Sequence, residues 1–130
     1  MNRIEKGSLL VLAIIVAFNI FFGLGSIPLL DPDEPVYAET AREMIQFNDY
    51  LSPRIYNEYW FDKPPMYYWL VAGSMHVFGD SEFAARFPAA VMAFLTVIML
   101  YCSVTRLFNE KAGFWSALVL ATSVQFFYLG

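Results

Sequence analysis

The sequence predicts an all-α polytopic membrane protein, with three transmembrane helices and one extracytoplasmic loop carrying two juxtamembrane helices. Three observations lead there. Of 130 residues, 58% are hydrophobic and only 15% charged, against about 25% charged in a soluble domain. Long uncharged runs occupy 7–30, 64–79, 87–105 and 112–130. Residues 31–63 hold eight acids against three bases, more negative charge than the net −4 of the whole chain. Low charge and 18% aromatic content exclude disorder, and the acidic balance argues against nucleic acid as a partner. Cys102 alone builds no disulfide framework, and His76 alone no histidine cluster for a metal.

The run 7–30 predicts the first span. At about 1.5 Å per residue it makes roughly 36 Å of helix, against a hydrocarbon core of about 30 Å. Arg3, Lys6 and the amino terminus precede it, and Asp31, Asp33 and Glu34 follow. The positive-inside rule therefore puts the N-terminus in the cytoplasm and residue 31 outside. A cleaved signal peptide is the rival reading, because Gly23-Leu24-Gly25 offers a small-x-small site. Apolar sequence continuing through Ile27, Leu29 and Leu30 favours a retained anchor.

Residues 31–86 form the predicted loop. Its first helix is signalled by Asp33 as a cap, Pro35 in the first turn and Glu39 near the start. Ala38, Ala41 and Ile45 make an apolar stripe at helical spacing, and Asn48-Asp49 and Ser52-Pro53 end it. The run 64–79 gives roughly 24 Å of helix, short for a span. With Tyr67, Tyr68 and Trp69 at its entry, it reads as a helix lying in or dipping into the outer interface. On that reading 87–105 runs inward, leaving Arg106 and Lys111 in the cytoplasm, and 112–130 returns. The chain reads as the front portion of a longer protein, or a shortened relative of one.

Two constellations could carry chemistry. Asp33-Glu34 sits where the first span leaves the bilayer, and a carboxylate there suits a general base acting on an incoming hydroxyl or amine. The same acids would equally serve as a helix cap at the water boundary. Asp62-Lys63-Pro64-Pro65 holds a charged pair on a stiffened backbone. A lysine at headgroup depth suits a phosphate, or else snorkels and pairs with Asp62. Glu39 and Glu43 share a helical face and would serve as a shelf for a divalent cation through oxygen ligands, or as a solvated face. Arg86 suits a headgroup or a loop carboxylate, and His76 a hydrogen-bonded interfacial site. Tyr37, Tyr67, Tyr68 and Trp69 either line a sugar or isoprenoid groove or belong to an aromatic belt.

Three motifs in series resemble one family. Asp33-Glu34-Pro-Val-Tyr37-Ala38-Glu39-Thr-Ala41-Arg42-Glu43-Met44, then Asp62-Lys63-Pro64-Pro65-Met-Tyr67-Tyr68-Trp69-Leu70, then Phe78-Gly79-Asp-Ser-Glu82-Phe83-Ala84-Ala85-Arg86-Phe87-Pro88 are similar to the first outer loop of the membrane glycosyltransferases that include aminoarabinose transferase and protein O-mannosyltransferases. The resemblance implies the N-terminal portion of a GT-C fold in the bacterial inner membrane. It also implies a polyprenyl-phosphate sugar donor, a lipid or protein acceptor, and a need for the remainder of a transferase or a partner segment. On the family pattern Asp33 would be the catalytic base, assisted by Glu34, and Lys63 would lie near the donor phosphate. Asp62, Tyr37, Tyr68, Trp69 and Arg86 would complete substrate binding. Val36 stands where aminoarabinose transferases commonly carry Arg, and Asp62 where they often carry Glu, so the match is to the broader family. The alternative is a small non-catalytic membrane protein whose acidic outer loop docks a partner or a cation.

Overall fold

The computed structural model describes residues 6–29 and 33–123. Five helices and one short hairpin follow in order: α1 Lys6–Phe21, α2 Asp33–Phe47, β1 Arg54–Ile55, β2 Glu58–Tyr59, α3 Met66–Phe78, α4 Glu82–Leu107 and α5 Glu110–Thr122. They fall into two compact units, one of residues 1–22 with 89–130, the other of residues 23–88.

In the first unit α1 is apolar all round. Leu12, Val16 and Ile20 are buried at four-residue spacing, while Leu10, Ile14 and Phe18 face outward, the pattern of a helix whose solvent is not water. Asn19 Nδ2 donates to the Ala121 carbonyl at 2.9 Å, tying α1 to α5. Tyr101 and Thr105 of α4 are fully buried, and Gly113 of α5 lies against both. A Cβ on Gly113 would sit 2.9 Å from the Tyr101 carbonyl oxygen and closer still to Thr105 Oγ1. Ala117 and Ala121 extend the same small-residue face, which is how apolar helices approach closely without a hydrophobic driving force between them. Asn109 caps α5, accepting from the Ala112 amide at 2.9 Å.

In the second unit α2, α3 and the start of α4 share a core of small residues, with Ala38, Ala41, Ala72, Ala84 and Ala85 around Val71 and Met75. Phe78, Phe83 and Phe87 form a ring cluster with centroids 4.7–5.6 Å apart. α2 ends in a Schellman motif. Asn48 takes the left-handed conformation (φ 52°), the Asp49 amide donates to Met44 O at 3.1 Å, and the Asn48 amide to Ile45 O at 3.3 Å. The predicted stop at Asn48-Asp49 is thus found, with Asn supplying the positive φ.

Several expectations are corrected. The run 7–30 is not one helix: α1 stops at Phe21, and Gly23 (φ 76°) begins a turn closed by Ser26 N to Gly23 O at 2.9 Å. Leu30, Asp31 and Pro32 lie outside the described residues. The run 87–105 belongs to a longer helix that starts at Glu82, where Ser81 Oγ accepts from the Ala84 amide at 3.2 Å. Pro88 sits inside that helix. α5 begins at Glu110, and the rest of the predicted third span, 124–130, lies outside the described residues. Among the described residues α4 is the one helix both long and apolar enough to cross a membrane, α1 being apolar but shorter. α3, at 13 residues, gives about 20 Å, short of a crossing. The fold is also not purely helical. Tyr56 and Asn57, both at positive φ (54° and 66°), form a tight turn of the kind that matches strand twist. It pairs Arg54 with Tyr59 and Ile55 with Glu58.

Candidate functional site

All the predicted site residues lie in the second unit. Asp33 opens α2, and its carboxylate is taken by Lys63 from the segment before α3, 30 positions away. Beside a phosphate, the sequence offered Lys63 its neighbour Asp62 as a partner; Lys63 bridges to Asp33 at the start of α2, and Asp62 is exposed. Pro64 and Pro65 explain this, because they fix the chain entering α3 and so aim residue 63 at the start of α2. Lys63 Nζ also donates to Tyr37 Oη at 3.0 Å and lies 4.6 Å from that ring's centroid. The carboxylate, and then the phenol oxygen, hold the Lys63 ammonium charged well above the ordinary lysine range. Asp33 and Tyr37 are one helical turn apart, on one face of α2.

Tyrosines support the cation. Tyr37 meets Tyr67 edge-on, centroids 4.6 Å apart, and Tyr68 at 5.8 Å. Burial pushes the Tyr67 phenol up to about 12, so it is neutral at any working pH. Tyr68 is fully buried and packs against the Tyr37 ring. Trp69 is part-exposed, and its indole Nε1 donates to the Tyr50 carbonyl at 2.6 Å, fastening the loop that leads to the hairpin.

Arg86 does something different from gripping a headgroup. Nε and Nη2 bind the two carboxylate oxygens of Glu34 at 2.8 and 2.7 Å. Nη1 donates to Leu24 O and Ile27 O at 3.0 and 2.8 Å, and Nη2 to Pro28 O at 2.9 Å. A guanidinium has five donors, and all five are used inside the unit. Glu34 is therefore held in a bidentate pair beside Asp33, and the 24–28 segment is clasped to the head of α4. Gly25 permits the approach, since a Cβ there would lie 3.0 Å from Phe83 Cβ. The clasp was visible in the sequence only as the option of a loop carboxylate.

Glu39 and Glu43 do not form a shelf. Glu39 pairs with Arg42, which also grips Asp80 at 2.7 and 2.9 Å. That bond holds the Asp80 carboxyl below the usual carboxylate range. Glu43 is buried, and both its oxygens accept from the Asn57 amide at 3.2 Å, fixing the hairpin turn to α2. Sequence reasoning missed this role, and the hairpin it depends on. Among the described residues no three His, Cys, Asp or Glu side chains gather as a metal site. Tyr50 Oη and His76 Nε2 lie 2.9 Å apart, in keeping with the expected interfacial hydrogen bond.

Comparison with known proteins places this arrangement. The chain is 33% identical over 130 residues to an undecaprenyl phosphate-alpha-4-amino-4-deoxy-L-arabinose arabinosyl transferase of Yersinia enterocolitica, covering 98% of this chain and 24% of that protein. It is 32% identical over 119 residues to the protein of the same name in Pseudomonas savastanoi, covering 91% and 22%. The crystal structure of ArnT from Cupriavidus metallidurans bound to undecaprenyl phosphate superposes with a TM-score of 0.85 at 28% identity, over 96% of this chain and 23% of that one. The chain thus spans about a quarter of the length of the curated relatives it matches. Residues 62–130 match the family described as dolichyl-phosphate-mannose-protein mannosyltransferase, and with more than half its length in that match the chain belongs to this family of membrane glycosyltransferases.

Proposed function

We propose that this chain is the N-terminal, donor-side portion of a GT-C glycosyltransferase that moves a sugar from a polyprenyl-phosphate carrier to a lipid or protein acceptor. Its place would be the bacterial inner membrane, with the N-terminus cytoplasmic, crossings that use α1, α4 and the run 112–130, and the loop between α1 and α4 on the extracytoplasmic side. α3 suits the interface: its free side carries Met66, Trp69, Leu70 and Val77 without a charge. Activity would need the remainder of a transferase or a partner segment.

One observation carries the reading: a carboxylate and a cation from distant parts of the chain meet at one spot, Asp33 on Lys63. Asp33 takes the proton from the acceptor hydroxyl or amine as it attacks the anomeric carbon. The carbon–oxygen bond to the lipid phosphate breaks on the opposite face, and Lys63 stabilises the charge left on that phosphate. Glu34, locked by Arg86, keeps the first turn of α2 in place and so positions Asp33. The neighbouring Asp62 and Trp69 border the donor's approach. A phosphate drawing on Lys63 competes with Asp33 for the ammonium, which frees the carboxylate to act as a base once donor is bound.

The test is an Asp33→Asn allele at the native locus, with Lys63→Ala beside it. In isolated membranes Asp33→Asn should lower transfer from a labelled polyprenyl-phosphate sugar by about 10²–10⁴-fold while donor binding is kept. Lys63→Ala should weaken binding as well. Retained turnover in Asp33→Asn refutes the base; an unaffected Lys63→Ala favours a non-catalytic docking loop.

A further inference from the structure

We propose that the cleft between α2 and α3, on the far side of α2 from Asp33, is a binding site for one neutral saccharide ring. It is a cavity of about 290 Å³ lined by Arg42, Ile45, Gln46, Met75, His76 and Asp80, all within the second unit. Nine residues, about two and a half helical turns, separate Asp33 from Arg42, which sets the two on opposite sides of the helix. The cleft is therefore distinct from the site at Lys63, and a ring held there is bound rather than reacted.

The lining narrows the ligand class by exclusion. Arg42 is answered by Asp80 through Nε and Nη2 and by Glu39 through Nη1, so the rim holds no unspent charge for an anion. A cation would meet the guanidinium, and among the described residues no three metal-ligating side chains gather. A wholly apolar ligand would take water from four polar side chains and return no hydrogen bond. The rim instead presents both hydrogen-bond polarities. The guanidinium has five donors and spends three on Asp80 and Glu39, leaving two, and the carboxylate of Asp80 keeps further lone pairs. The Gln46 amide, both donor and acceptor, has no partner among the described residues. His76 spends Nε2 on Tyr50 Oη at 2.9 Å and keeps its other ring nitrogen. The bidentate pair bridges α2 to the turn before α4, which fixes these groups before a ligand arrives. Sugar hydroxyls donate and accept at once, and so match such a rim. Beneath it Met75 is buried and Ile45 part-buried, an apolar floor for the C–H face of a ring. Ligand pockets run from about 300 to about 1,000 Å³, and at the small end of that range the cleft suits one ring.

The test follows the Met75 methyl signal by NMR in the purified chain, isotope-labelled at methionine and held in nanodiscs, with Met75→Leu assigning the signal. Methyl glucoside and methyl galactoside should shift it saturably, and methyl glucuronide and methyl glucosaminide should bind about tenfold more weakly. Gln46→Met keeps the length of the side chain and removes its amide. Its unfolding midpoint should match the wild type, and its affinity for the neutral glycosides should fall about fivefold or more, as should that of His76→Phe. Nanodiscs doped with glucosyl diacylglycerol that shift the signal without added sugar mark a membrane glycolipid as the source; a response to the free glycosides alone marks a soluble saccharide. The absence of a saturable shift with either neutral glycoside overturns the proposal. An equal response to cyclohexanol or to N-acetylalanine amide does so too, the first leaving a merely apolar hollow and the second a peptide cleft. An affinity within twofold of wild type in either variant is equally fatal. None of these results bears on the donor reading, which rests on Asp33 and Lys63.

Discussion

Arg86 should be the most stability-sensitive charged residue of the second unit, and its cost can be worked from its bonds. Replacing it with Met keeps much of the aliphatic stem and removes all five hydrogen bonds. Breaking a fully buried ion pair costs about 3–5 kcal/mol. Glu34 keeps 34% of its side chain in solvent, so water recovers part of that and about 2 kcal/mol remains. Of the three carbonyls, those of Ile27 and Pro28 are accessible and can turn to water, while the Leu24 bond is part-buried and adds about 1 kcal/mol. Arg86→Met should therefore destabilise by about 3 kcal/mol. Arg86→Lys, with the charge but without the planar fork, should lose about 1–2 kcal/mol. Reversible unfolding in mixed micelles gives both numbers, and a double-mutant cycle with Glu34→Gln isolates the pair. Hydrogen exchange should show the loosening at 24–28 and the first turn of α2. A loss below about 1 kcal/mol for Arg86→Met, or a coupling to Glu34 near zero, would refute the clasp.

Two further expectations concern packing and pH. Gly113→Ala should lower the unfolding midpoint, by about 1–3 kcal/mol of overpacking, because the new methyl meets the Tyr101 carbonyl at 2.9 Å; an unchanged midpoint would mean that α4 and α5 are not in close contact. The Asp80 carboxyl is held low first by its hydrogen bond from Arg42. Its folded value lies below its unfolded one, so its contribution is present at neutral pH and lost as the pH falls below the carboxylate range near about 4. The pair is exposed and worth at most about 1 kcal/mol. Arg42→Met should flatten that part of the acid limb of the stability profile, and an acid limb identical to wild type would remove the pair from the account.

What was readable in the sequence follows from what acts locally. The stop of α2 could be seen at Asn48-Asp49, because a left-handed cap needs a residue such as Asn. The aromatic entry to α3 and its short length were likewise legible, since Pro64 and Pro65 leave few ways to begin. That Asp33 and Lys63 belong to one site followed from the motifs, but their direct ion pair did not. Adjacent opposite charges make Asp62 the obvious partner, and only the turn imposed by two prolines sends the lysine elsewhere. For Arg86 a loop carboxylate was one of two options, but nothing in residues 24–28 advertises the three carbonyls it also binds. The hairpin escaped notice because Tyr56-Asn57 lacks the Gly that usually marks such a turn. Its stability is borrowed from Glu43, 14 positions upstream. The end of α1 at Phe21 was hidden by apolar residues that continue past the glycines.

The two-sidedness of α3 has a practical result for anyone handling the protein. Residues 23–88 carry most of the chain's charge and form a compact unit, which invites excision as a soluble fragment. Yet Val71 and Met75 fill one side of α3 while Met66, Leu70 and Val77 stand bare on the other, near the uncovered Tyr56 and Tyr59 of the hairpin, and Phe61 after it, in sequence. Such a fragment in plain buffer would self-associate through these greasy surfaces, and amphiphile would have to be supplied from the first step of its purification.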